Sequence, residues 1–464
     1  MLKKSDLKKH LLDSVHILKR TLDYSVYVYF ILAMLFFYHV GEIPYRGSLK
    51  SIQLVSPRAS VIPIRGNFQK KKRDLQDDLI EAFSTVELID PDLRGVLLPA
   101  LPTKFISDAT LIEYRQHLDA LQQNTSIFAM SERFGQAYDY WISQLARMTV
   151  RRGTAFYTER SLIRLMVGLM KPTEDMSIYD PTAGTGGMLV EAAQYIRQQG
   201  GSLDTTRLFG REKSPDIWAI CKMNLLAHQI ENFAVQQEDT LTSSQDLFDT
   251  FDLVLQNLPL PPDPQNKGQN RRLNTAFLQH AIYSLSETGR AAILAPNTIL
   301  QQDQRDVWRY VVNRDWLEAV ISLPPKLLHG THAAACILIF NKKKSEDRNS
   351  QVLFIHLASD FTPRTRHSEL QDEDIRLMIQ SFETWGEGSD HARIIPVARI
   401  EEQDYSLRIE QYPDLGDPVP TFDLIAGFNR YLVATRKREQ AVKNLITSLE
   451  ELNYSLNDSG DENL

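Results

Sequence analysis

The chain has 464 residues, 43% of them hydrophobic and 24% charged, with a formal net charge of −7. That length exceeds one ordinary core, and the balanced composition excludes disordered, collagen-like and low-complexity classes. The negative balance argues against a surface that grips nucleic acid all over, so any DNA contact has to come from local patches or from a partner.

Residues 1 to about 145 read as mainly helical. Leu7, Leu11, Leu12, Val15 and Leu18 mark an amphipathic first helix. The apolar run Tyr24 to Val40 follows, and it needs a membrane check. It reaches only the minimum spanning length and contains Ser25, His39 and four tyrosines, which favours a buried helix and no membrane. A signal peptide is disfavoured by Asp6, Asp13 and Asp23 before the run and by the lack of a small-residue cleavage site after it. A Pro/Gly/basic interruption, Ile43 to Arg73, ends in Lys70, Lys71, Lys72 and Arg73, read as a solvated loop in preference to a DNA contact.

From Tyr157 onward short apolar strands alternate with helical stretches: Ser177 to Tyr179, Leu208 to Gly210, Phe251 to Leu255, Ala291 to Ala295 and Leu317 to Ser322. Such alternation implies an α/β domain with a twisted, mostly parallel, doubly wound sheet. Ligands then sit beyond the carboxyl ends of the strands. After Tyr412 the segment PDLGDPVP holds three prolines in eight residues and reads as a linker. Beyond it, Phe422 to Leu452 has a helical apolar face suited equally to the chain's own core or to a partner. The expected division is 1–145 helical, 146–412 α/β, and 413–464 linker plus helix. Cys221 and Cys336 stand apart in apolar surroundings with no metal-ligand or disulfide spacing, so no metal is expected and a reducing cytoplasm is the simplest compartment.

The strongest chemical signal is Asp180-Pro181-Thr182-Ala183-Gly184-Thr185-Gly186-Gly187, between the strand ending at Tyr179 and a helix at Met188 to Arg197. Glycines there let backbone turn sharply and approach a ligand closely. The spacing is neither G-x-G-x-x-G nor a P-loop, so nucleotide phosphates are not the favoured ligand. Glu212 ends the next strand, where a carboxylate can accept both hydroxyls of a ribose. Asp239 follows the strand Phe233 to Gln236, where it could accept from an adenine amino group.

Tyr157-Thr158, the DPTAGTGG block, GREKSP (Gly210 to Pro215), KMNLLAHQI, EDTL, FDLVLQN (Phe251 to Asn257), AFLQH, AILAPN, the stretch Ala319 to Phe340, VLFIHLA and DYSLRIEQY resemble the modification subunit of type I restriction enzymes. The stretch Asp13 to Glu42 resembles that subunit's N-terminal helical domain. The resemblance implies a Rossmann-like S-adenosylmethionine-dependent methyltransferase acting on the exocyclic N6 of adenine in DNA. It implies that Tyr157, Thr158, Asp180 and Gly184, within the loop that also carries Thr182, Thr185, Gly186 and Gly187, surround the methionine moiety. Glu212 falls on the ribose and Asp239 on the cofactor adenine.

The chain departs from that family where it carries N-P-P-F or N-P-P-Y: here stand Asn257-Leu258-Pro259-Leu260. A flipped target base is held by its edge and stacked on a side chain. Asn257 keeps the amide carbonyl that can accept from N6, and the backbone carbonyl of Leu258 is the second acceptor. Leu260 removes a stacking platform worth roughly 1 to 3 kcal/mol, and losing the first proline costs roughly 0.4 to 1 kcal/mol of turn rigidity. Glu159 replaces a proline after Tyr-Thr, and Ala333-Ala334-Ala335 replaces I-P-T. Cofactor binding is therefore expected to be better preserved than catalysis, and a methyltransferase-like scaffold or sensor in phage defence stays open beside the active enzyme, as does an RNA or protein substrate. Fewer residues follow Tyr412 than an independent sequence-reading module needs. DNA recognition is thus expected from a separate specificity subunit, with a second modification subunit, and a restriction subunit as a further candidate partner.

Overall fold

The computed structural model describes residues 4–40, 75–101, 106–125, 127–128, 131–149, 157–242, 247–259, 267–300, 305–325, 327, 334–356, 370–387, 389, 391–412 and isolated positions between 435 and 447. The Lys70 to Arg73 cluster, the PDLGDPVP segment, Leu260, Ala333 and most of Phe422 to Leu452 lie outside them. By internal contacts the chain divides into Met1–Leu415 and Gly416–Leu464. In the second unit the described positions Thr435, Arg436, Gln440, Lys443, Asn444 and Thr447 are helical, and Gln440 Nε2 donates to Asn444 Oδ1 one turn on at 3.0 Å.

The first unit opens with helices α1 (Lys4–Leu18), α2 (Tyr24–Val40), α3 (Leu75–Ile89), α4 (Asp108–Asn124) and α5 (Ser131–Thr149). Every residue of α2 from Tyr27 to Val40 is buried. Its polar groups explain why protein and not lipid surrounds it. Tyr29 Oη donates to the Val96 carbonyl at 2.5 Å, Tyr38 Oη to Asp119 at 2.9 Å, and His39 Nδ1 lies 2.7 Å from the Phe128 carbonyl. Among the described residues no helix is long and apolar enough to cross a membrane.

Helix α6 (Arg160–Met170) then leads into β1 (Ser177–Asp180), α7 (Gly187–Gln198), β2 (Arg207–Glu212), α8 (Pro215–Ala227), β3 (Phe233–Gln237), β4 (Phe251–Asn257), α9 (Lys267–Ser284), β5 (Leu285–Pro296), α10 (Arg305–Asn313), β6 (Leu317–Ser322), β7 (Ala335–Asn341), β8 (Gln351–His356), α11 (Asp372–Glu383), β9 (Ala392–Pro396) and α12 (Val397–Glu402). The strands form one sheet in the order β3-β2-β1-β4-β5-β7-β6-β8-β9. The run β3 to β5 is parallel, β7 is antiparallel to both β5 and β6, β8 runs parallel to β6, and β9 antiparallel to β8. Both faces are covered. Leu253 and Leu255 of β4 join the core under α6, α7, α8 and α11, whereas Val254 between them joins the core under α9 and α10, the alternation a strand requires; Phe251 joins that second core because the register shifts between it and Leu253.

The helical layer packs on the sheet domain through α8, whose Ala219, Ile220 and Met223 share a core with Phe134, Tyr138 and Trp141 of α5. A buried polar network reinforces that contact. Arg160 pairs with Asp139 and with Glu191, at 3.2 Å, and donates to Gln194 at 2.8 Å, while His228 Nε2 lies 3.2 Å from Asp139. Burial works to raise the Asp139 carboxyl, but the hydrogen bond and charge of His228 and the Arg160 guanidinium outweigh it and hold its pKa below the ordinary value.

Candidate functional site

The strand order reverses between β1 and β4, since β1 leads outward to β2 and β3 before the chain returns to β4 on the other side. Ligands of such sheets sit in the crevice beyond that point. A cavity of about 940 Å³ opens there. Its walls bring together Tyr157, Thr158, Asp180, Thr182, Gly184, Thr185, Gly187, Glu212, Asp239, Asn257, Leu258 and Pro259. Of the residues expected from the sequence, Gly186 stands behind the wall. It turns the loop at φ +81°, and a Cβ there would meet Cys221 Sγ of α8 at 2.9 Å, so only glycine fits. Leu260 lies outside the described residues.

The loop after β1 is built by its own side chains. Asp180 Oδ1 accepts from Thr182 N at 3.0 Å, and Thr182 Oγ1 lies 3.0 Å from the Asn257 carbonyl, tying the glycine loop to the end of β4. Glu212 reaches back from β2: its Oε2 accepts from Gly184 N at 3.1 Å and its Oε1 from Ser214 N at 2.8 Å. Each carboxylate oxygen has a second lone pair, so these bonds orient Glu212 without exhausting it. Asp239 accepts from Leu241 N at 3.1 Å and pairs with Lys213 at 2.7 Å.

Electrostatically the cavity favours a cation. Asp180 is buried, and burial pushes its carboxyl up to about 7; hydrogen bonds from Thr182 oppose the rise and the Glu212 charge adds to it. Burial likewise raises Glu212. Asp239 behaves oppositely, because the Lys213 hydrogen bond holds its carboxyl below the usual range. A positive group placed between Asp180 and Glu212 relieves their strain, and no neighbouring cation does so in the described bonds.

At the end of β4, Asn257 Nδ2 donates to Thr158 Oγ1 at 2.9 Å, which leaves Oδ1 with no partner among the described residues and available as an acceptor in the cavity. The next residue shows how the chain tolerates leucine in place of proline. Leu258 N donates to the Leu294 carbonyl of β5 at 2.9 Å, a bond proline cannot make, and its side chain, 2% exposed, joins the core with Phe277 and Ile293. Glu159 has a comparable role: it is buried, precedes α6, and pairs with Arg147 of α5 at 3.1 Å.

Several wall residues carry no local sequence signal. Tyr24, Val28 and Tyr29 come from α2 and Asp23 from just before it, Gln269, Leu273 and Phe277 from α9, and Leu327 from the segment after β6. Only tertiary packing brings them in. Thr240 and Lys213, in contrast, sit inside blocks already quoted, and Thr240 Oγ1 donates to the Pro181 carbonyl.

A nine-stranded, mostly parallel sheet with this order and an acidic cavity at its switch point defines a Rossmann-like methyltransferase fold. The model of the N-6 DNA methylase family matches residues 129–417, and the chain belongs to that family. It is 28% identical over 383 residues to the HindI methylase subunit of a type I restriction enzyme from Haemophilus influenzae, covering 78% of this chain and 82% of that one. It is 25% identical over 328 residues to the MpnII methylase subunit from Mycoplasma pneumoniae, covering 64% of this chain and 58% of the relative. The methyltransferase subunit of a type I restriction-modification system from Streptococcus thermophilus superposes with a TM-score of 0.71 at 20% identity, over 89% of this chain and all of the other. A modification subunit from Vibrio vulnificus gives 0.63 at 17%, over 86% and 94%.

Proposed function

We propose that the chain is the modification subunit of a type I restriction-modification-like system and transfers a methyl group from S-adenosylmethionine to N6 of adenine in DNA. One observation carries the reading: Asn257 Oδ1, with its amide turned by Thr158, shares a single cavity with the Asp180 loop and Glu212. The relatives, methylase subunits by name, support it, and so does the family. The chain spans 58% of the Mycoplasma relative, so the activity of a whole enzyme stays part of the proposal.

The residues fit the cofactor. Asp180 suits its positive ammonium or sulfonium, Glu212 the ribose hydroxyls and Asp239 the adenine amino group. When bound, the cofactor supplies an electrophilic methyl group. The protein's share is to hold the acceptor nitrogen. Asn257 Oδ1 accepts one N6 hydrogen and the Leu258 carbonyl a second, which draws the nitrogen lone pair out of conjugation with the ring and points it at the donor. The turn needs a fixed geometry, and the Leu258 to Leu294 bond provides it. Leu260 in place of an aromatic weakens base capture without removing an acceptor.

DNA, a separate specificity subunit, a second modification subunit and, where cleavage is attached, a restriction subunit are the partners of this reading. Phe422 to Leu452 is the docking element proposed from the sequence pattern, and residues 1–145 form the helical domain. The two free, buried thiols suit a reducing cytoplasm. Labelled-methyl incorporation into DNA, RNA and protein by the complex with its specificity subunit tests the function. Incorporation into DNA alone, falling about 10² to 10³-fold in Asn257→Ala, is expected. Label entering RNA or protein but not DNA would reassign the substrate, and no label at all would leave the scaffold role.

A further inference from the structure

Outside the cavity wall, in the helical layer, α1 and α4 pack side by side. His10 and Asp13 lie one turn apart on α1, the i, i+3 spacing that puts both on one face. His117 of α4 faces them, its ring 5.4 Å from that of His10. One potential ligand atom from each of the three lies within 4.8 Å of the others, and all three side chains are half-buried. We propose that His10, Asp13 and His117 form a binding site for a divalent transition metal of the zinc class, which staples α1 to α4.

Two features support the assignment. First, His117 Nε2 lies 3.1 Å from the His10 backbone carbonyl. Donation there fixes the tautomer with Nδ1 unprotonated and free to ligate, the arrangement by which metal-binding imidazoles are oriented. Secondly, His10 Nδ1 is buried without a hydrogen-bond partner, and the Asp13 carboxylate on the same helix face acts on it electrostatically. A packed helix pair that leaves a buried ring nitrogen unpartnered beside a carboxylate and a second imidazole is an incomplete polar cluster. Two imidazoles and a carboxylate suit zinc, with a fourth position open to water, and hard oxygen-seeking cations are disfavoured. To share one ion at about 2.1 Å the three ligand atoms, now within 4.8 Å of one another, have to close to about 3.4 Å by side-chain rotation.

The test uses the untagged full-length chain, stripped with chelator and titrated calorimetrically with Zn²⁺ alone. One equivalent is expected to bind, with affinity reduced tenfold or more in His117→Ala and in Asp13→Asn. His16→Ala, exposed on the same helix, should bind as the wild type does. Asp13→Asn is nearly isosteric and keeps the fold testable, and its unfolding midpoint in chelator should match the wild type. Zn²⁺ should raise that midpoint for the wild type and not for the variant. Absence of Zn²⁺ binding by the wild type, or wild-type affinity in both ligand variants, overturns the site.

Discussion

Replacing Asp180 by Asn isolates what the cavity's buried carboxylate contributes. In the folded chain burial moves this carboxyl from an ordinary 3.8 to about 7. At roughly 1.4 kcal/mol per pH unit, keeping it ionised above neutrality costs on the order of 4 kcal/mol as an upper bound. The folded state holds the proton more tightly than the unfolded chain. The stability of the protonated form is therefore fully present below about pH 4 and lost as pH rises towards 7. Asparagine never ionises, and its Oδ1 still accepts from Thr182 N, so Asp180→Asn should be more stable than wild type by on the order of 4 kcal/mol at pH 8 and about 2 kcal/mol at pH 5.5. Denaturant unfolding of both proteins at the two pH values measures this. Calorimetry with S-adenosylmethionine should show the opposite trend, with at least a tenfold loss of affinity in the variant at pH 8 and a smaller loss at pH 5.5. A stability difference that does not change with pH would refute the electrostatic argument.

Two further substitutions probe the acceptor turn. Thr158→Val removes the partner that turns the Asn257 amide, and losing one hydrogen bond of roughly 0.5 to 1.5 kcal/mol should lower the methyl-transfer rate about threefold to tenfold in a single-turnover assay. Leu258→Pro restores the family residue yet removes the bond to Leu294. Leaving that carbonyl unpaired costs roughly 1 to 3 kcal/mol, more than the roughly 0.4 to 1 kcal/mol gained in chain entropy, so the unfolding free energy should drop by about 1 to 2 kcal/mol.

The residues with chemistry on adjacent strand ends were legible because local sequence builds that part of the site. The Asp180 loop, Glu212, Asp239 and Asn257 each follow a short strand with a turn signal, and the fold gathers them at one switch point. The burial of α2 was also readable, since its tyrosines and histidine need partners lipid does not offer. Strands β7 to β9 were not separated in the sequence. β7 is a run of six apolar residues closed by Asn341, buried at all seven positions, and such runs show no period-two signal. The contribution of Tyr24 and Tyr29 to the cavity wall depends on how the helical layer docks, which no local pattern encodes. For the same reason the partners that accommodate Leu258 and Glu159, namely Leu294 and Arg147, emerged only from the packed structure.

Calorimetric titration of the chain with S-adenosylmethionine most directly tests whether the cavity is a cofactor site. One equivalent should bind to wild type and to Asn257→Ala with similar affinity, and Glu212→Ala should bind at least tenfold more weakly, because it removes the carboxylate that bridges Gly184 N and Ser214 N at the centre of the wall. Wild-type protein that binds no cofactor, or a Glu212→Ala variant that binds it as tightly, would contradict the account.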